Sequence, residues 1–341
     1  MRITDCHNVT DFRKLAKRRL PRPVFDYIDG GADDEVTLAR GTRAFEDCDL
    51  VPDVLTGIAE PDLSVTVMGK RIDLPFFLSP TAMQRLFHWR GERAVAKAAE
   101  KFGIWCGIST IGTTSLETIG DLIDTPKLFQ FYVHKDQGLN RALLERAREA
   151  GFDAVALTVD TAAGGNRERD LRSGFTTPLR MTPRMAWEFA THPYWTLAYL
   201  THEKFDLPNL SEHVAEGSDV AMGVTDYMSN MLDDRMDWAA AERIRSRAPF
   251  DQLAEIVDAV GHELDVILDG GIRRGSHMLK ALSLGAKAVS GGRLYLYALA
   301  AAGQPGVERA LGLLRAELVR DMKLMGKATI ADLSRDNLRW R

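Results

Sequence analysis

A chain of 341 residues with 45% apolar content is long enough to bury one barrel-sized core or two smaller ones. A formal net charge of −4, a pI near 6.1 and the lack of a basic stripe argue against a nucleic-acid partner. Cys6, Cys48 and Cys106 show neither metal-ligand spacing nor a disulfide framework, so no metal is expected and the set suits a reducing compartment.

The chain opens on Met1-Arg2-Ile3-Thr4-Asp5, without the apolar core of a signal peptide. No stretch reaches the roughly 18 apolar residues of a membrane span. The expectation is a cytoplasmic protein, soluble or attached peripherally to the inner face of the cell membrane. Residues 9–20 and 21–47 read as helical, the second stretch entered through Pro21 and Pro23, and 1–72 form a helical lead-in. Asp73 to Pro80 reads as a buried strand and Gly91 to Lys101 as an Ala-rich helix. The alternation then repeats. Strands fall at Ile104–Ser109, Leu128–Val133 and Ala154–Val159, with helices at Ser115–Leu122 and Gly138–Ala150. Short apolar runs alternating with amphipathic helices indicate parallel βα units.

From Phe175 to about Arg235 this rhythm lapses. The insertion carries Trp187, Phe189, Tyr194, Trp195 and Tyr199 together with Arg180, Arg184 and Lys204. Loops of that length are lids or binding surfaces, and interfacial aromatics beside basic residues suit a membrane surface. Asp237–Arg247 and Pro249–Val260 follow as two helices with no strand between them. Strands resume at Leu264–Leu268 and Ala286–Val289, each ending in a glycine-arginine motif: Asp269-Gly270-Gly271-Ile272-Arg273 and Gly291-Gly292-Arg293. Glycines there let backbone N–H groups approach a phosphate, and arginines supply charge and paired donors. In a (β/α)8 barrel the loops after strands 7 and 8 are the usual phosphate site. Val307–Met325 reads as an amphipathic helix and Thr329–Asp336 as a short closing helix capped by Thr329.

Taken together, these motifs resemble the FMN-dependent L-2-hydroxy-acid oxidase and dehydrogenase family, from end to end except near 245–248. The matching pieces are Val24-Phe25-Asp26-Tyr27 with Gly30-Gly31-Ala32, Pro80-Thr81-Ala82-Met83-Gln84, Gln130-Phe131-Tyr132 and Leu157-Thr158-Val159-Asp160-Thr161. Gly165-Asn166-Arg167-Glu168-Arg169-Asp170 and the two glycine-arginine motifs complete the set. The resemblance implies a single-domain TIM (β/α)8 barrel over 1–341 that binds FMN. The flavin ring would lie beside Pro80, Thr81 and Ala82, with Ser109, Gln130 and Thr158 as polar groups around it. Asp269, Gly270, Gly271, Arg273, Gly292 and Arg293 would hold the ribityl and phosphate groups. Arg167 would clamp the substrate carboxylate, Tyr27 would assist there, and Tyr132 would serve the substrate hydroxyl as a catalytic group. Arg169 and Arg172 are expected to be solvated or in surface pairs. Ile111 stands where glycolate oxidases carry a bulky Trp, which favours a lactate-like acid over glycolate. The implied partners are a 2-hydroxy acid, a quinone or O2 as acceptor, a membrane surface against 175–235, and further copies in a homotetramer.

The resemblance breaks at Arg245-Ser246-Arg247, where one strand–helix–strand (strands 5 and 6 of eight) is absent. Such a unit takes roughly 30 or more residues. In the family it bears a Lys near the flavin, the His that takes the hydroxyl proton and a second carboxylate-binding Arg. No His elsewhere stands in an acid–base motif: His88 and His134 fall nearest the expected site mouth, and His262 and His277 read as surface residues. Loss of a positioned base removes a factor of about 10² to 10⁴ from the rate. Two readings follow: an internal segment of the natural protein is missing from this sequence, which is favoured, or the chain is a true deletion. The second would make it a catalytically silent FMN-binding homologue.

Overall fold

The computed structural model describes residues 2–159, 165–175, 182–203, 205–210, 232 and 248–341. Its centre is a parallel sheet of six strands: β1 (Phe76–Leu78), β2 (Trp105–Ser109), β3 (Lys127–Tyr132), β4 (Ala154–Thr158), β5 (Ile267–Asp269) and β6 (Ala288–Gly291). Their spatial order is β4-β3-β2-β1-β6-β5. The first strand therefore pairs with both its successor and the last strand, with Phe77 opposite Trp105 on one side and Ser290 on the other. This pairing of first with last curls the sheet toward a barrel and leaves its opening between β4 and β5. Two adjacent strands absent from an eight-stranded ring would leave the same order.

The helices between strands form where the sequence supplies both an apolar face and a cap. Ser115 and Asp136 accept the orphan N–H groups that open Leu116–Leu122 and Gln137–Glu149,. A hairpin, Val65–Val67 with Lys70–Ile72, covers the N-terminal ends of the strands. There Val67, Ile72, Phe77, Trp105 and Ala288 form a small cluster of their own. One continuous core joins the lead-in helices, the barrel and the long helix Gln304–Met325.

Three expectations need correction. The stretch 21–47 is two helices, Arg22–Asp29 and Val36–Arg43, because the chain turns at Gly30-Gly31 and takes positive φ at Asp33 and Glu35. The closing helix at 329–336 is two 3₁₀ turns: the Asp332 carboxylate accepts the Ala328 and Thr329 N–H groups, and Ser334 restarts the chain. The chain then pairs Leu338–Trp340 antiparallel with Cys48–Leu50. The insertion, expected to lack regular rhythm, holds two helices, Pro183–Thr191 and Pro193–Thr201. Asp160, Thr161, Arg180, Lys204, the 237–247 helix and the Arg245-Ser246-Arg247 joint lie outside the described residues.

The outer face of β4 is not covered like those of its neighbours. Val155, Leu157 and Val159 are 49, 51 and 45% exposed, whereas β2 is buried along its whole length. An edge strand with an apolar outer face is an unfinished surface.

Trp105 is fully buried and stacked on Phe77 at 5.4 Å. Trp105→Ala should cost about 3–5 kcal/mol, read as a lower urea midpoint with an unchanged denaturant slope.

Candidate active site

The C-terminal ends of β1, β5 and β6 open into one cleft of about 390 Å³. The loop after β1 contributes Pro80, Thr81 and Ala82, and the loop after β5 contributes Asp269, Gly270, Gly271 and Arg273. Gly292 and Arg293 follow β6, while Tyr27, Tyr132 and Arg167 close the other end. Twelve of the residues named from sequence thus share one wall. Ser109, Gln130, Thr158 and Ile111 do not line it.

At one end the cleft is strongly basic. Arg293 donates from Nε to the Ile28 carbonyl at 3.1 Å and from Nη2 to the Gly30 carbonyl at 2.8 Å. Arg273 donates to its neighbour's carbonyl, Ile272, at 3.0 Å. Neither has a carboxylate partner among the described residues. Burial holds the Arg273 guanidinium below its ordinary pKa, and the nearby Arg293 and Arg13 act in the same direction against Tyr297 and Asp29. Two half-buried guanidiniums without a carboxylate partner among the described residues suit a phosphate,. Beside them Gly270 and Gly271 take φ of +106° and +76°. A Cβ on Gly271 would lie 1.9 Å from the Gly41 carbonyl oxygen, so only glycine fits.

This end is held by a residue that no sequence motif marks. Asp29 is 5% exposed and accepts from Arg13 at 2.5 and 2.7 Å, Arg169 at 2.9 Å and the Tyr297 hydroxyl at 2.8 Å. Burial raises its pKa, but the bonds from Arg13, Tyr297 and Arg169 outweigh burial and hold it below the usual 3.8. Arg169 also reaches Glu35 at 2.6 Å. It is thus a half-buried bridge, not the solvated or surface-paired residue expected from sequence, whereas Arg172 pairs with Glu168 at the surface. His277 is likewise not a surface residue. Its ring stacks on Phe45 at 4.4 Å beside Arg273, and burial pushes its pKa down to about 4.

Behind the cleft, Ser109 Oγ donates to Gln130 Oε1 at 2.8 Å, and Gln130 Nε2 donates to Thr158 Oγ1 at 2.5 Å. The three side chains expected to ring a planar cofactor form one hydrogen-bonded row across β2, β3 and β4. Ile111 is buried, and its N–H donates to Ser109 Oγ at 3.2 Å. On the other side, the Tyr295 hydroxyl donates to the Ser79 carbonyl at 2.6 Å, so the Thr81 hydroxyl, 2.6 Å from it, must be a donor to Tyr295,. The Thr81 side chain is therefore committed, and the backbone of 80–82 remains as the polar face of that wall. Ser79, Tyr295 and Phe87 also shape the site; Ser79 Oγ fixes Asp269 at 2.9 Å.

At the opposite end the Tyr27 ring stacks on Phe175 at 4.7 Å and on Phe87 at 6.2 Å, with the Arg167 guanidinium 5.1 Å above it. Burial pushes the Tyr27 phenol up to about 12, against the pull of Arg167, so it is a neutral donor at pH 7. Arg167 Nε bonds Asp170 at 2.5 Å, and Nη2 donates to the Tyr27 carbonyl. Nη1 makes no further hydrogen bond to a described residue. No His lines the cleft among the described residues. His134 is fully buried against Asn140, and His88 lies in a different cavity with its pKa pushed by burial to about 4.

Gly271→Ala should lower the melting temperature by several degrees, since it adds a backbone clash to a strained φ. Asp29→Asn should cost about 3 kcal/mol at pH 7 by unpairing a buried ion group. The sign with pH is fixed by the depressed pKa: stabilisation by Asp29 is full above the unfolded value and lost as pH falls through the folded one. The gap between wild type and Asp29→Asn in urea titrations should therefore shrink below about pH 4.

The family model for FMN-dependent dehydrogenases matches residues 16–249 and 245–340, in two pieces that meet where the strand–helix–strand was found wanting. An L-lactate oxidase of Nostoc sp. is 36% identical over 96% of this chain and 96% of its own length. The (S)-mandelate dehydrogenase of Pseudomonas putida is 32% identical over 371 aligned positions, covering 97% of this chain and 93% of its own. A solved structure of the monotopic membrane protein (S)-mandelate dehydrogenase superposes with a TM-score of 0.91, at 30% identity, over 99% of this chain and 100% of the other. The basic, glycine-lined end of the cleft is suited to the phosphate of FMN. The chain belongs to the FMN-dependent dehydrogenases, flavoenzymes that oxidise 2-hydroxy acids.

Proposed function

We propose that the protein oxidises a lactate-like L-2-hydroxy acid, in preference to glycolate, to the 2-oxo acid, with electrons passing to a quinone or O2. The observation that carries this reading is the convergence of Arg167, Tyr27 and Tyr132 with an uncompensated arginine pair in a single cleft. FMN, when bound, supplies the two-electron acceptor for the hydride that leaves the substrate carbon. The chain's own residues bind and orient. Gly270, Gly271, Gly292, Arg273 and Arg293 hold the phosphate and ribityl end, with Asp269 fixed by Ser79 for the same chain of hydroxyls. The 80–82 backbone and the row Ser109, Gln130 and Thr158 border the ring. Arg167 Nη1 and the neutral Tyr27 hydroxyl bind the carboxylate, and Tyr132 bonds the hydroxyl that loses its proton. The preference for a lactate-like acid over glycolate rests on Ile111 standing where glycolate oxidases carry a bulky Trp.

The proton acceptor is assigned to a strand–helix–strand that this 341-residue sequence lacks near 245–248. Three observations support this. The sheet opens between β4 and β5, and the outer face of β4 is exposed. The family model breaks at the same place. The alignment to the mandelate dehydrogenase spans 371 positions, more than the 341 residues available. With that segment the fold closes as an eight-stranded barrel, a single domain over 1–341 as the continuous core suggests.

The hairpin of helices at 183–201 leaves Trp187, Tyr194, Leu197 and Leu200 between 64 and 69% exposed. That pattern supports peripheral membrane contact of a cytoplasmic enzyme through 175–235. No helix among the described residues is long and apolar enough to cross a membrane. The assembly proposed is a homotetramer, testable by light scattering.

The decisive test is the visible spectrum of the holoprotein without oxygen, before and after L-lactate, glycolate and L-mandelate. L-lactate or L-mandelate should bleach the flavin band faster than glycolate. A band that persists through all three removes the proposal. Arg167→Met should raise the KM for the bleaching acid by about 10- to 100-fold, the value of one charge-assisted contact.

A further inference from the structure

Arg167 caps the start of the short helix Glu168–Ser173, and Asp170 stands three residues on, in its first turn. Side chains at that spacing meet on one face of a helix. In a capping box, a carboxylate at this place turns back to the backbone N–H of the cap residue. Asp170 takes the Arg167 side chain instead, and Nε donates to Oδ2 at 2.5 Å. The other oxygen, Oδ1, is buried and has no hydrogen-bond partner among the described residues. An acceptor left unmet in this way costs about 1–3 kcal/mol.

The local structure does not need this carboxylate. The end of the helix is held by the Asp170 backbone carbonyl, which accepts from the Ser173 hydroxyl at 3.1 Å and the Phe175 N–H at 3.0 Å. What the carboxylate does hold is Arg167. With Nε on Asp170 and Nη2 on the Tyr27 carbonyl, the guanidinium is fixed 5.1 Å above the Tyr27 ring. Nη1 makes no further hydrogen bond to a described residue, and Arg167 lines the cleft. Without Asp170 a long, rotatable side chain would keep one polar tether, and ordering it would fall to the ligand. The pair also sets the charge. Arg167 is matched by Asp170, whereas Arg273 and Arg293 have no carboxylate partner among the described residues.

We propose that Asp170 is a positioning residue for the substrate: it holds the Arg167 guanidinium in one orientation, so that the carboxylate meets a preset donor and not a mobile side chain. The proposal rests on the function given above, in which Arg167 binds that carboxylate. Asp170 itself touches neither substrate nor flavin in this scheme and acts through Arg167 alone.

The test measures the Kd of pyruvate, a 2-oxo acid, from the change it makes in the flavin spectrum of the holoprotein. Asp170→Asn can place its amide nitrogen where the unpartnered Oδ1 lies, keeping an oxygen for Nε and removing only the charge. Asp170→Ala removes both, and it should fold because Arg167, 35% exposed at its side chain, can be solvated in place of the pair. The Kd should rise about tenfold in Asp170→Ala and no more than about threefold in Asp170→Asn. With Arg167→Met already present, Asp170→Ala should change the Kd by less than about twofold, since nothing is left for it to act through. An equal rise in both backgrounds overturns the assignment, as does an unchanged Kd in Asp170→Ala. A second readout needs no ligand. Phenylglyoxal should modify Arg167, followed by peptide mass, several-fold faster in Asp170→Ala than in the wild type or Asp170→Asn. Equal rates in the three proteins overturn the assignment as well. Should the wild type fail to bind pyruvate, the carboxylate-binding role of the cleft falls, while the modification rates still decide whether Asp170 holds Arg167.

Discussion

The structure depends most on one buried carboxylate. Asp29 ends the helix Arg22–Asp29 and receives Arg13 from the first helix, Arg169 from the short helix Glu168–Ser173 and Tyr297 from the helix after β6. The carbonyls on either side of it, Ile28 and Gly30, take both donors of Arg293. One residue therefore fixes the lead-in to the barrel and sets the arginine that faces the cleft. Its cost in desolvation is met because its donors converge from three elements. The cluster is also unequal in charge. Arg13 and Arg169 are matched by Asp29 and Glu35, while Arg273 and Arg293 are left unmatched. That excess is what a dianionic phosphate can neutralise, and without one it is a standing repulsion between half-buried cations.

A second buried carboxylate stiffens the cleft wall that carries residues 80–82. Glu92 is fully buried and accepts from the Thr113 N–H and hydroxyl, the Thr114 hydroxyl and the Gln84 N–H at 2.7–3.3 Å. These donors lie on the loops after β1 and β2. Bound to one acceptor, the loops cannot move independently, and the 80–82 backbone inherits that restraint. Preorganisation of this kind is what a site needs when backbone groups, with few rotamers to adjust, must meet a planar ring.

The fold and the cleft were legible in the sequence for a reason that also explains the misses. Glycine-arginine motifs after strands carry local information: Gly271 must be glycine because of the Gly41 carbonyl, and the strand before it fixes where the loop emerges. Parallel strands in family order then bring distant loops to one face. Asp29, Arg169 and His277 carry no such local signal. An Asp at a helix end reads as an ordinary surface carboxylate until Arg13, Arg169 and Tyr297 arrive from elsewhere in the chain. Thr81 and Ser109 were legible as polar groups at strand ends, but not as members of hydrogen-bonded rows with Tyr295 and with Gln130 and Thr158. The helices of the insertion escaped notice because Pro193–Thr201 presents apolar residues nearly all round, which hides the helical period.

The open sheet edge and the want of a proton acceptor among the described residues of the cleft point to one feature. A scaffold that had lost its chemistry would be free to lose its site, yet Arg167, Tyr27 and Tyr132 still meet in the cleft and the arginine pair remains without counter-charge. A sheet ending at β4 would expose Val155, Leu157 and Val159 to water, a surface that favours self-association over solubility. Both anomalies sit at the same junction, and a single strand–helix–strand repairs both. It would pair the free edges of β4 and β5, and it would bring its own loop ends to the face where Arg167 and Tyr132 already lie. A segment lacking near 245–248 accounts for both the open sheet edge and the uncovered apolar surface with one assumption, whereas a silent homologue needs two.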